Sequence, residues 1–389
     1  MKLIYVYIGG SKPSSVQLKV LNQVKEMNAN GIEATGWFFT HEVDADTPLG
    51  EHIILKPLKA YPKKYKLFQK NFEAQFQYKQ ILNALRQTEF DRLFIRHGSP
   101  GTAYFELLKQ WADKTFLYIP SNSIAENYQE RKANKSNSLI AWVLGWVQYF
   151  WFTWLMHYIL FWFVLPKLKG VVAFTPEFAN ILKRKSLGRA NTIYNRDGAD
   201  CNQIKVRNSN LLNPKVYSFI FLKGSSMQQP WAGLERLIAS IKVRSDIPCL
   251  LYITGKVFNP EDYNEPFIKL TGRLEENELE ELINGVDLGV SNLANYMIHF
   301  NETTNLKSRD YYARGLPFIQ ANTMPDIEGT IGADYYLNIP NNNELIDMDK
   351  VLTFIEKIRA NPNHPNEMRK FAEEELSWNK TVGELVVFF

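Results

Sequence analysis

From 139 to 165 the chain carries no Asp, Glu, Lys or Arg and has eleven aromatic side chains, among them Trp142, Trp146, Trp151, Trp154 and Trp162. As one helix this stretch runs roughly 40 Å, more than the roughly 30 Å hydrocarbon core of a bilayer. Its neighbours forbid a single crossing. The apolar runs at 115–119 and 171–174 both read as buried strands of one sheet, and strands on opposite sides of a membrane cannot pair. The stretch must therefore begin and end on one side.

Three arrangements meet that condition. The stretch can lie in a membrane interface or dip in and return, a setting that suits its Trp and Tyr. It can pack against a second subunit, since so large an apolar patch is rarely left bare. It can be a core helix, in which case Gly145, Gln148 and His157 need internal partners. Basic residues flank it: Arg131, Lys132 and Lys135 before, Lys167, Lys169, Lys183, Arg184 and Lys185 after. Each is worth about 1 kcal/mol against an anionic leaflet. The expectation is monotopic attachment through 139–165 at the cytoplasmic face of the inner or plasma membrane, with Trp151 and Phe161 among the anchoring side chains.

On both sides of this stretch the chain alternates short apolar runs with amphipathic ones. The run 2–8 ends in Gly9-Gly10, and 14–30 follows with Val16, Val20, Leu21, Val24 and Met27 at helical spacing. Another apolar run occupies 32–39, so the opening reads as strand, turn, helix, strand of a doubly wound sheet. The run 91–95 ends in Arg96-His97-Gly98, where ligands of such sheets gather. His97 could there accept a proton or orient a hydroxyl, or simply be a loop histidine bonded to the chain. Pro176 starts a helix at its first position, and 201–213 is polar and turn-rich, as a linker would be. The rhythm reopens at 215–222, before Lys223-Gly224 and a helix from about Trp231. It continues with strands at 248–254 and 267–272 and a helix at 275–284.

Length and composition set the outer limits. A chain of 389 residues suits two domains, each with its own core. A net charge of +4 does not mark a nucleic-acid binder, and two cysteines, Cys201 and Cys249, fit a reducing compartment. No metal-ligand cluster stands out.

The stretch 302–317 carries the chemistry. An apolar run at 286–290 reads as a strand and 317–319 as the next one. Between them 305–314 reads as a helix, closed by Gly315 in a left-handed cap with Pro317 beyond. A helix that starts past a strand's carboxyl end presents free N–H groups to an anion. Glu302 sits just ahead of that turn and Asp310 on the helix, placed to accept hydrogen bonds from sugar hydroxyls. The same spacing also fits an ordinary strand–helix–strand with solvent-facing charges.

This segment resembles the Glu-x7-Glu signature of retaining GT-B glycosyltransferases of the family-4 type, with Asp310 in place of the second Glu. The resemblance implies an α/β fold of two doubly wound Rossmann-like domains facing across a cleft. An acceptor domain would span 1–200, a nucleotide-sugar domain 201–376, and a terminal helix at 377–389 would return to the first. It implies transfer of a sugar, with retention, from a nucleotide-diphosphate-sugar to a hydroxyl, here on a glycan or polyprenol-linked acceptor. No metal or other cofactor is implied, the donor being a substrate, and no nucleic-acid partner.

By the same resemblance Glu302 is the sugar-side acid, and Asp310, with Asn305, Leu306 and Lys307, belongs to the nucleotide side. The family's usual Arg and Lys on the diphosphate are replaced by Ser225 and Ala232, so Lys223 with Gly224, Arg273 or Lys307 is expected to supply positive charge. Arg273 also reads as an ordinary surface residue. Glu126, after the run 115–119, falls at an acceptor-side position. A nucleotide-sugar epimerase of the same fold and a membrane-attached, non-catalytic scaffold are the alternatives.

Overall fold

The structure is a computed structural model and describes residues 1–9, 15–41, 50–62, 68–133, 138–223, 229–257 and 259–389. The chain divides into two compact units, one formed by 1–196 with 381–389 and the other by 197–380.

The first unit is built on seven parallel strands. These are β1 (Lys2–Ile8), β2 (Glu33–Thr40), β3 (Ile53–Pro57), β4 (Arg92–Arg96), β5 (Thr115–Ile119), β6 (Gly170–Ala173) and β7 (Thr192–Tyr194), in the order β3-β2-β1-β4-β5-β6-β7. Central strands covered on both faces must be apolar throughout, and β5 is buried at every position. Tyr5 of β1 meets Phe94 of β4 edge to face at 4.7 Å, and Phe94 stacks on Tyr118 of β5. The β5–β6 pairing sets Phe116 beside Gly170, where a Cβ would come within 2.6 Å of the Phe116 ring. Only glycine fits there.

The aromatic stretch is thus the connection between two adjacent parallel strands, which it joins without leaving their side. It forms one helix, Leu139–Lys167, long and apolar enough by composition to cross a membrane. Its two halves differ. None of Leu139–Gln148 is buried, and Leu139, Trp142 and Trp151 are 76%, 50% and 52% exposed. The second half is buried against the helices Thr102–Gln110 and Pro176–Lys185 through His157, Leu160, Phe161, Val164 and Leu165, which share one face at helical spacing. Phe161 is only 4% exposed, so the anchoring role expected of it is corrected: it is a core residue.

The second unit holds six parallel strands: β8 (Tyr217–Leu222), β9 (Cys249–Thr254), β10 (Ile268–Gly272), β11 (Leu288–Val290), β12 (Phe318–Gln320) and β13 (Tyr336–Asn338). Their order, β10-β9-β8-β11-β12-β13, reverses at β8. Two expectations are revised here. The helix after β8 starts at Leu234, not Trp231, because Gly233 takes a left-handed conformation (φ 69°) after a short 3-10 turn, and a Cβ there would press on the Leu293–Ala294 backbone. The polar run 201–213 is no loose linker. Arg369 donates to the carbonyls of Cys201 and Ile204, the Arg207 N–H donates to the Arg314 carbonyl, and the Asn208 N–H donates to Asn284, so the run is stitched into the second unit.

Candidate active site

In open α/β sheets ligands bind beyond the carboxyl ends of strands where the order reverses, here between β8 and β11. Lys223 follows β8 and Ser291 follows β11. The helix Leu306–Arg314 begins beside them and ends at Gly315 with φ 70°. Its start is locked by side chains. Asn305 accepts from the Ser308 N–H at 2.9 Å and donates to Ser291 Oγ at 3.1 Å and Thr303 Oγ1 at 3.2 Å, while Ser308 Oγ donates to Gln320 of β12 at 2.9 Å. Asn305 is therefore the cap that aims the first turn, including the N–H groups of Leu306 and Lys307, which no helix can satisfy internally.

Positive charge gathers at this point. Lys307 Nζ lies 4.1 Å from the centre of the Phe221 ring, and burial together with the charge of Lys223 pushes its ammonium down to about 7. Lys223 is itself lowered by burial, with Glu235 opposing the shift. A buried amine whose protonation a second lysine suppresses, beside an open helix start, makes a site an anion would complete.

The acids are held differently. Asp310 is 25% exposed at its side chain and accepts from Arg314 Nε at 2.9 Å, and Arg314 in turn reaches Glu276 at 2.7 Å. Glu302 is half-buried, with its main chain in a parallel bridge to Thr323. Arg273 is exposed just past β10, the strand at the sheet's edge, away from the β8–β11 reversal. Gly224 and Ser225 lie outside the described residues. Among the described residues no group of three or more His, Cys, Asp or Glu could hold a metal ion.

His97 belongs to the first unit, and both of its ring nitrogens are engaged. Nδ1 is 3.0 Å from the Tyr104 hydroxyl and Nε2 is 3.2 Å from His157 Nε2. His157 Nδ1 lies 2.6 Å from the Thr153 carbonyl, so it carries the hydrogen and leaves Nε2 as an acceptor. His97 then donates from Nε2 and accepts at Nδ1. Burial holds both rings neutral, His97 well below its ordinary value and His157 down to about 4. The expected proton acceptor is in this structure a link between β4 and the aromatic helix, and acting as a base would require one contact to break.

Glu126 accepts from Ser121 Oγ at 2.9 Å, and burial raises it to about 7. Sequence reasoning passed over Lys19 and Tyr118. The one available signal was Lys19 itself, a lysine on the apolar face of the helix Ser15–Ala29, and it is 3% exposed.

No family model and no curated protein matches the chain. Among solved structures it is similar to sucrose-phosphate synthase from Thermosynechococcus elongatus, at 14% identity and a TM-score of 0.66 over 99% of this chain and 97% of that one. It is similar to WaaG, a glycosyltransferase involved in lipopolysaccharide biosynthesis, at 13% and 0.63 over 99% of each chain. It is also similar to Anabaena HepE in complex with UDP-glucose, at 16% and 0.60 over the whole of both chains. The two parallel sheets of seven and six strands, with their helices, define the fold as α/β of the GT-B class.

Proposed function

We propose that the chain is a glycosyltransferase that moves a sugar from a uridine diphosphate donor to a hydroxyl acceptor. The observation that carries this reading is the pair Lys223 and Lys307 at the open start of the helix Leu306–Arg314, at the reversal of the second sheet. A diphosphate there gains helix N–H groups and two ammonium groups, which also stabilise it as it leaves. These groups take the place of a metal ion. Solved structures of the same fold in complex with UDP-glucose, or with UDP and GlcNAc, support the choice of donor.

In this reading Glu302 steadies positive charge on the sugar and Asp310 accepts from the ribose, with Arg314 fixing its carboxylate. Retention rests on the resemblance to the family-4 pattern, not on residue spacing. The acceptor is a glycan on a lipid, reached at a membrane surface to which the exposed half of the aromatic helix attaches. An exposed row of Trp, Phe and Leu next to basic residues suits that surface.

The test is a panel of nucleotide sugars incubated with the full chain, with and without candidate acceptors, followed by product analysis. Glu302→Ala should lower turnover by orders of magnitude with the Kd for UDP nearly unchanged, and Asp310→Ala should mainly weaken UDP binding. Donor conversion without acceptor would support an epimerase instead. Absence of UDP binding would remove the reading altogether.

A further inference from the structure

A sugar transfer to a hydroxyl sets a proton free, and the histidine placed to take it is engaged. Both ring nitrogens of His97 are bonded, one to Tyr104 and one to His157, and burial keeps the ring neutral and weakly basic. The neighbouring strand end offers a different group. The His97 N–H donates to the Tyr118 carbonyl at 2.7 Å, so β4 and β5 run out side by side. Past β5 the chain turns through Pro120-Ser121-Asn122 into the helix Ser123–Ala133, whose first turn carries Glu126. Ligands of such sheets gather beyond these ends.

An acid in the first turn of a helix is ordinarily favoured in its charged form. Glu126 goes the other way. It is half-buried and accepts from Ser121 Oγ at 2.9 Å, yet burial outweighs that bond and lifts it to about 7, with the like charge of Glu130 adding to the rise. No cation bears on it among the described residues. Lys19 Nζ lies 2.5 Å from the Tyr118 hydroxyl, the Arg96 guanidinium lies 5.3 Å from the centre of the Tyr118 ring, and the charge of Arg131 falls on Glu130 and Tyr149. The stretch Tyr149–Leu155 of the aromatic helix packs along the same helix. It brings the Tyr149 hydroxyl to the Ile124 carbonyl at 3.3 Å, and no charge. Burying a carboxylate without a cation is costly, and acids of raised proton affinity cluster at functional sites.

We propose that Glu126 is the general base of the transfer: Ser121 holds one of its oxygens, and the other takes the proton of the acceptor hydroxyl. This rests on the glycosyltransferase reading, which makes the first unit the acceptor side. In the step the acceptor O–H bond breaks, its proton passes to the Glu126 carboxylate, and the freed oxygen bonds the anomeric carbon. The bond from that carbon to the diphosphate breaks, and UDP leaves with the electron pair, its charge met by Lys223 and Lys307.

The experiment follows UDP release from UDP-glucose and UDP-N-acetylglucosamine by the full chain at saturating donor, with water or an added acceptor as the attacking group. The base works only when ionised, so the wild-type rate should rise about tenfold per pH unit and level off at about pH 7. Glu126→Gln keeps an acceptor for Ser121 but cannot take a proton. It should lose roughly 10²- to 10⁴-fold in kcat, with that acid limb gone and the KM for donor unchanged. Glu126→Asp should recover part of the rate and the limb. Ser121→Ala removes a bond that favours the ionised form, so it should move the limb to higher pH. Variants that titrate UDP as the wild type does are folded. A Glu126→Gln chain that keeps the wild-type rate, or keeps the limb, overturns the base while the donor reading stands. A wild-type chain that neither binds UDP nor releases it ends the donor reading, and the base falls with it. A carbon-13 NMR titration of the Glu126 carboxyl needs no turnover: proton uptake near pH 7 supports the base, and uptake in the ordinary carboxylate range overturns it.

Discussion

Lys307 shows how far a residue's chemistry exceeds its letter. The sequence placed it on the first turn of a helix, and Asn305 and Gly315 marked both ends of that helix, because caps are local and written in residue type. Its depressed proton affinity was not legible, since that arises from Phe221 and Lys223, far away along the chain. The depression has a measurable consequence. A bound diphosphate raises the affinity of the Lys307 amine for a proton, so UDP binding should be strongest below about pH 7. It should weaken by up to tenfold per unit as the pH rises toward 8.5. Titrations across that range should show the slope, and Lys307→Met should flatten it while weakening UDP binding roughly 10- to 100-fold. Arg309 is the other residue to test. It is 1% exposed, pairs with buried Asp326 and donates to the Asp197 carbonyl at 2.9 Å. Arg309→Ala leaves Asp326 charged and buried, and should cost about 3–5 kcal/mol in chemical denaturation.

At the scale of elements, the aromatic helix divides into a half that packs and a half that does not. Sequence argument established that it could not cross once, because that conclusion needs only the strands on either side, and β5 and β6 are indeed adjacent and parallel. It could not establish which side chains are buried, because aromatic residues line every face and the helical period is hidden. Two substitutions separate the halves. Trp151→Glu should release the protein from vesicles containing anionic lipid in a flotation assay, with little change in Tm. Phe161→Glu should lower Tm sharply by placing a charge in the core. Elements without a strong signal went unread for plain reasons. The strand Ile53–Pro57 sits at an edge and is nowhere fully buried, and the helix Gln69–Leu85 is rich in Gln, Asn and Lys, with only four buried residues.

At the scale of the molecule, the first unit is closed by the last residues of the chain. Asn195 donates to the Thr381 carbonyl at 2.7 Å, Arg196 pairs with Glu384 at 2.6 Å, and Arg92 donates to the Phe389 carbonyl at 2.7 Å. The Phe389 ring rests edge-on against Phe94 and Phe116, while Val382 and Leu385 are fully buried. A chain ending at Lys380 should therefore lose stability in the first unit, read as a lower unfolding temperature of that unit, although everything removed was encoded after the second. The resemblance set the returning segment at 377–389, and the first unit takes 381–389 of it. The polar contacts that fix it link positions 186 to 297 residues apart, which no local pattern records.

A ribosome making this protein exposes all seven strands of the first sheet long before it reaches Phe389. Until that ring arrives, Phe94 and Phe116 lack the cover it gives them, and the aromatic connection has already emerged. The nascent chain thus passes through an interval in which it is sticky at two places, and the domain begun first is completed only after the second has been made.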